Sequence, residues 1–297
     1  MSNKILIVVA GWEERCLLGC ANDISQFSPD IVLIVYSKEY ASWTQQNRLL
    51  IKEICLNKNI SVSDSSHSFC SPSENFATLN DELSKVFTNS HSEVRFNATT
   101  SPRDIIWSIL HFLNTKSINT EFSYYRVGEY GEWLSRDADT PRLAMKRSGI
   151  MYPDLQTCLL VLSGYDDQRL GQLIRKFEPR KVLVGVQTGE QLQNRERNRP
   201  EISDFGVNIE RFDFDCFDCS AEALQLLLDR INPLTDNYNL IAASLGPKPS
   251  ALTLFRMTNI NANIGLVYIP AKEYNKNYSR GIDLINTTLV KLQRHTI

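Results

Sequence analysis

The chain has 297 residues, 42% of them hydrophobic, and its 32 basic and 34 acidic side chains leave a net charge of −2. That length supports one large core or two of roughly 150 residues each, and the balanced charge excludes a global field that would hold the protein on nucleic acid or an anionic membrane. The apolar run at 5–10 is too short for a signal peptide or membrane span, and seven widely spaced cysteines read as reduced thiols, so a cytoplasmic protein is expected.

In chain order, short β-branched runs alternate with helical periodicity, the signature of parallel strands covered by helices. Strands are expected at Lys4–Ala10, 30–36, weakly at 60–63, Glu93–Asn97 and 121–126. A helix over 105–114 carries apolar residues at 105, 106, 109, 110, 112 and 113, and Pro102 suits its start because the missing N–H would have gone unpaired. Residues 137–154, charged and interrupted by prolines, read as connecting sequence, which gives a first unit at 1–140, a linker at 141–154 and a second unit at 155–297. In the second unit, helices are expected at Ala221–Ile231 and 250–257, and residues 187–203, with Arg195, Arg197 and Arg199, form a polar surface excursion.

The two halves repeat each other. Residues 5–15, Ile-Leu-Ile-Val-Val-Ala-Gly-Trp-Glu-Glu-Arg, match 159–169, Leu-Leu-Val-Leu-Ser-Gly-Tyr-Asp-Asp-Gln-Arg, each an apolar strand followed by glycine, an aromatic and two acids. Residues 27–35 match 177–185 as a proline turn feeding a second buried strand, and 95–103 match 240–248 as a strand ending in a hydroxyl-bearing turn with a proline and a basic residue. Finally, 124–136 match 267–280, keeping a strand, a Glu-Tyr step (Glu129-Tyr130, Glu273-Tyr274) and a terminal Ser-Arg. The expected fold is therefore α/β, with two tandem Rossmann-like parallel-sheet units related by internal duplication.

In such sheets ligands bind outside the carboxyl ends of the strands, where strand order reverses. The turn carrying Asn97, Thr99, Thr100 and Arg103 offers hydroxyls, backbone N–H groups and a cation at a helix start, which suits an anion; Ser244, Gly246 and Lys248 repeat the device. The same residues also suit an ordinary capped helix. After the first strand of each half stand Gly11-Trp12 and Gly164-Tyr165, then the acids Glu13, Glu14, Asp166 and Asp167, which fit general acid/base work, ribose hydroxyls or the helix dipole. Arg126, Glu129, Tyr130, Glu132, Trp133 and Arg136, with Arg280 as the repeat of Arg136, form a polar-aromatic stretch able to hold a base and its phosphate, or to pack over a domain junction. Cys216-Phe217-Asp218-Cys219 lacks a second pair at zinc spacing, and His67, His91, His111 and His295 show no ligand spacing; no metal or cofactor is implied. Nucleotide-loop, nucleophile-elbow and metalloprotease signatures are absent.

This layout, with Gly11 and Gly164 after strand one and the 97–103 and 244–248 turns after strand four, resembles the CARF and SAVED sensor domains. The resemblance implies an oligonucleotide second messenger bound in a cleft shared by two such units, and a role in prokaryotic antiviral defence. The acidic pairs and the prolines before Arg103 and Lys248 depart from that pattern, and no effector domain follows, so the expected effector is a separate protein. The leading expectation is a nucleotide-binding regulatory subunit without a membrane or nucleic-acid partner. An enzyme cleaving a nucleoside or nucleotide bond with the acid pairs, and a structural subunit of an assembly, are the alternatives.

Overall fold

The computed structural model describes residues 3–68, 71–87, 92–131, 133, 135–164, 167–188 and 206–292. In chain order the elements are β1 (Lys4–Ala10), α1 (Glu14–Phe27), β2 (Ile31–Ser37), α2 (Ala41–Asn57), β3 (Ser61–His67), α3 (Pro72–Val86), β4 (Glu93–Asn97), α4 (Arg103–Thr115), β5 (Thr120–Arg126), β6 (Glu129–Tyr130) and β7 (Ser135–Ala138). They continue as β8 (Arg142–Leu143), β9 (Gln156–Leu162), α5 (Asp167–Phe177), β10 (Lys181–Gln187), β11 (Asn208–Phe214), α6 (Ala221–Ile231), β12 (Tyr238–Ser244), α7 (Pro249–Ile260), β13 (Gly265–Tyr268), β14 (Ala271–Tyr274), β15 (Ser279–Arg280) and β16 (Asp283–Leu292).

The chain divides into two compact units, residues 1–136 with 274–297, and residues 137–273. Each holds a mixed, largely parallel six-stranded sheet, ordered β16-β5-β4-β1-β2-β3 in the first and β11-β10-β9-β12-β13-β8 in the second. These are the same Rossmann-like order, with the reversal between β1 and β4 and between β9 and β12. β1 and β9 lie between parallel neighbours, and their uninterrupted apolar runs are buried on both faces, as central parallel strands require. β3, Ser-Val-Ser-Asp-Ser-Ser-His, is half exposed at a sheet edge, which is why its sequence signal is weak.

In both units the sixth strand is antiparallel: β16 pairs with β5 and β8 pairs with β13. This departs from the expected boundaries. Residues 274–297, assigned by the repeat to the second unit, return to the first because β16 completes its sheet. Residues 141–154, expected as a linker, belong to the second unit: besides β8, the Asn239 amide donates to the carbonyls of Tyr152 and Leu155, each at 2.8 Å. A repeat reports which segments are alike, whereas sheet membership depends on which free edge a strand reaches.

The first core gathers Leu6, Val8, Cys20, Ile24, Val32 and Ile51; the second gathers Leu159, Val161, Leu173, Val184 and Ile241. Cys16, Cys20, Cys55, Cys158, Cys216 and Cys219 are buried free thiols, and burial pushes those of Cys55 and Cys158 up to about 11. Cys70, His91 and His295 lie outside the described residues, as do 189–203 of the expected excursion. Among the described residues, no helix is long and apolar enough to cross a membrane.

Candidate ligand site at the carboxyl edge of the first unit

At the strand-order reversal, the loops after β1 and β4 pack directly on each other. A Cβ at Gly11 would stand 2.6 Å from Thr100 Cβ, so only glycine admits the contact, and the Thr100 hydroxyl donates to the Val9 carbonyl. The other side chains of this turn point inward. Asn97 Nδ2 donates to Asp23 (2.7 Å) and its Oδ1 accepts the Thr99 N–H (3.0 Å), while Thr99 Oγ1 accepts the Tyr125 N–H (3.1 Å). Asn97, Thr99 and Ser101 are fully buried, so the hydroxyls expected to face an anion hold the turn together instead. Arg103, half-buried, opens α4.

The second unit repeats the packing more tightly. A Cβ at Gly164 would press into the Leu245 carbonyl, and one at Gly246 would meet the Ser163 carbonyl at 2.5 Å and Cys216 Sγ at 2.8 Å. Buried Ser244 shares a 2.7 Å hydrogen bond with Ser250, and Lys248 precedes α7 in helical conformation. Tyr165 and Asp166 lie outside the described residues, and Asp167 enters only as the first residue of α5. Alanine at Gly164 meets the Leu245 carbonyl and alanine at Gly11 meets Thr100 Cβ, which the backbone fixes, so each is expected to cost about 3 kcal/mol. Urea midpoints of the two variants against wild type measure the cost.

The buried carboxylate of Asp23 escaped the sequence reading. It accepts from Asn97 Nδ2 (2.7 Å), Ser123 Oγ (2.9 Å) and Tyr125 OH (2.8 Å), and pairs with Arg95 at 3.3 Å. Arg95 is held in turn by Glu121 at 2.6 Å. Burial pushes the Asp23 carboxyl above its ordinary value even though all four donors favour the charged form. One signal was available: Asp23 falls on the buried stripe of α1 with Cys16, Cys20, Ile24 and Phe27.

Glu13 and Glu14 hold the chain where it returns to this unit. Glu13 Oε2 accepts from Arg15 Nε at 2.8 Å and from the Ser279 hydroxyl, and Glu14 Oε2 accepts the Gly281 N–H at 3.0 Å. Arg15 is buried and also donates to Tyr124 OH and to the Tyr125 carbonyl, each at 3.1 Å. Burial works against its charge, but Glu13 and the neighbouring tyrosines outweigh this and keep the guanidinium protonated. The acidic pair thus works as a clamp on residues 279–281. Beside it, β6 and β15 pair antiparallel, with Glu129 opposite Arg280 and Tyr130 opposite Ser279. Arg126 lies opposite Asp283 in the β5–β16 ladder, and the exposed Arg136 guanidinium sits 4.2 Å over the Trp133 ring. Glu132 lies outside the described residues.

Trp12, directly after β1, is the centre of an aromatic cluster. Its ring centroid lies 5.3 Å from Tyr40, 5.1 Å from Trp43 and 5.6 Å from Tyr274; Tyr40 in turn meets Trp43 at 5.1 Å and Tyr274 at 5.4 Å. Tyr40 precedes α2, Trp43 is in its first turn and Tyr274 ends β14, so three separate segments converge beyond the carboxyl ends of β1 and β2. All four rings are only partly buried, and Lys276 Nζ stands 5.9 Å over Trp43. The Trp12 indole N–H is shielded from solvent and has no acceptor among the described residues. Of the residues singled out in the sequence, the fold brings Gly11, Trp12, Glu13 and Glu14 together with the 274–281 segment; Tyr274 is expected only as part of the repeat, and Tyr40, Trp43 and Lys276 are not expected at the site. No protein-family model matches the chain, and no curated protein matches its sequence.

Proposed function

We propose that this protein binds a nucleotide-type ligand at the carboxyl edge of its first unit and acts as a regulatory subunit on a separate effector protein, in line with the defence role that its layout suggests. The observation that carries this reading is the Trp12–Tyr40–Trp43–Tyr274 cluster, partly buried at the sheet edge where Rossmann-like units take ligands, with an indole donor that lacks an acceptor among the described residues. Aromatic faces stack on any base, and the rim of a base carries acceptors for an indole N–H. Lys276 over Trp43 offers a cation to a phosphate beside the stacked base. The carboxylates of Glu13 and Glu14 are engaged with Arg15, Ser279 and Gly281, which favours binding over general acid/base catalysis.

The test is a tryptophan-fluorescence titration with AMP, GMP, CMP, UMP, cyclic dinucleotides and cyclic tri- and tetra-adenylate. Saturable quenching by at least one compound, without turnover, is expected. Trp43→Ala is expected to weaken that binding about ten-fold or more, the usual worth of one base-stacking contact. Absence of any response from the whole panel, both in wild type and in the Tyr274→Ala variant, would defeat the reading.

A further inference from the structure

We infer that Tyr274 occupies the position of the ligand's base in the free protein and leaves it when the ligand binds. The inference rests on the proposed function above and assigns the ligand class for the same site: a planar heteroaromatic ring carrying a hydrogen-bond acceptor.

Three observations lead to it. First, Trp12, Tyr40 and Trp43 sit between β1 and the first turn of α2, on chain fixed by packed elements, and Asn47 Nδ2 pins the Trp12 loop through the carbonyls of Gly11 (2.8 Å) and Glu13 (3.1 Å). Tyr274 arrives from elsewhere, at the residue where the chain re-enters this unit after Glu273. Second, Tyr274 meets Trp12 and Tyr40 edge to face, at 72° and 84°, so it fills the space without stacking on either ring. A base in that space can stack on one of them. Third, with Tyr274 in place the Trp12 N–H has no acceptor among the described residues. A buried donor left unpaired is costly, and the nitrogens and carbonyls on the rim of a base would satisfy it.

The geometry also shows which part of the chain would move. Residues 278–281 are anchored: Gly131 N–H donates to the Tyr278 carbonyl, Tyr278 packs on Tyr130 at 5.5 Å, and Ser279 and Gly281 are clamped by Glu13 and Glu14. Tyr274 itself ends β14, which pairs with β7, and beyond it residues 275–277 carry Asn275 Nδ2 on the Trp133 carbonyl (2.9 Å), a local turn made by the same Asn275, and Lys276 over Trp43. Expulsion of Tyr274 would therefore rearrange the short strap between the end of β14 and the anchored residues 278–281.

A ligand that must displace an internal ring binds with its affinity reduced by the fraction of protein in which the ring is in place. Tyr274→Ala is therefore expected to bind AMP or cyclic diadenylate about ten-fold more tightly than wild type, since it loses two edge-to-face contacts that compete with the nucleotide. Tyr274→Phe keeps the ring and is expected to bind less tightly than Tyr274→Ala. In the wild-type protein, hydrogen exchange at 274–277 is expected to speed up on adding the same nucleotide while 279–281 stay protected, a readout that does not depend on any variant folding. Weaker or unchanged binding by Tyr274→Ala, or slower exchange at 274–277, would overturn the inference while leaving the nucleotide site intact, provided that Trp43→Ala still weakens wild-type binding. Failure of wild type and Tyr274→Ala alike to bind any nucleotide would overturn the proposed function and the inference with it. Binding by Tyr274→Ala alone would support both.

Discussion

Replacing Asp23 by alanine is expected to destabilise the first unit by about 3–5 kcal/mol, read as a lowered urea midpoint at unchanged slope. The substitution removes more than one ion pair. Asn97 Nδ2, Ser123 Oγ and Tyr125 OH each lose a short hydrogen bond in a fully buried site, and a buried donor without an acceptor is costly. Arg95 keeps Glu121 but loses the carboxylate on its other side. The network also ties α1 to β4 and β5, because Asp23 is on the helix while Arg95, Asn97, Ser123 and Tyr125 are on the two strands. Pairing Asp23→Ala with Arg95→Met is expected to cost less than the two single changes added together, since Asp23→Ala takes one of two carboxylates from buried Arg95 and Arg95→Met takes the cation from buried Asp23. Strict additivity in that cycle would mean that the charges do not interact.

A second large effect is expected from acid. His67 ends β3 almost completely buried, and burial lowers its imidazole from 6.5 to about 4, with Glu39 opposing and Lys38 assisting the shift. A folded-state value below the unfolded one means that the unfolded chain binds the proton first. The contribution of His67 is thus complete above pH 6.5 and is lost as pH falls towards 4, a change on the order of 3 kcal/mol. Asp23 works in the opposite sense, because its carboxyl is raised: its titration favours folding at low pH and the advantage disappears as pH rises through the folded value. Comparing wild type with His67→Asn in urea at pH 7, 5.5 and 4.5 isolates the imidazole. The expected result is a gap between the two proteins that changes by a few kcal/mol over that range; parallel curves would place the acid sensitivity elsewhere.

Local patterning alone determined much of the scaffold. β1, β4 and α6 are where the apolar runs and the 3.6-residue period put them, and the duplicated order of strand, glycine turn and helix is written in the matched segments. These features depend on residues close in sequence, where alternation and periodicity report directly which side of a segment faces a core. Only the tertiary structure decided where β16 returns, because the exposed edge of β5 exists only once the first sheet has formed. It likewise turned Asn97 and Thr99 inward towards Asp23 and Tyr125, a direction that the turn's composition does not encode. Glu13 meets Ser279 across 266 positions, and Trp12, Tyr40, Trp43 and Tyr274 share a cluster only because parallel strands bring their carboxyl ends to one edge while the chain comes back from the other unit to meet them. Such contacts are set by strand register and sheet order, which are non-local properties, and no window of sequence carries them.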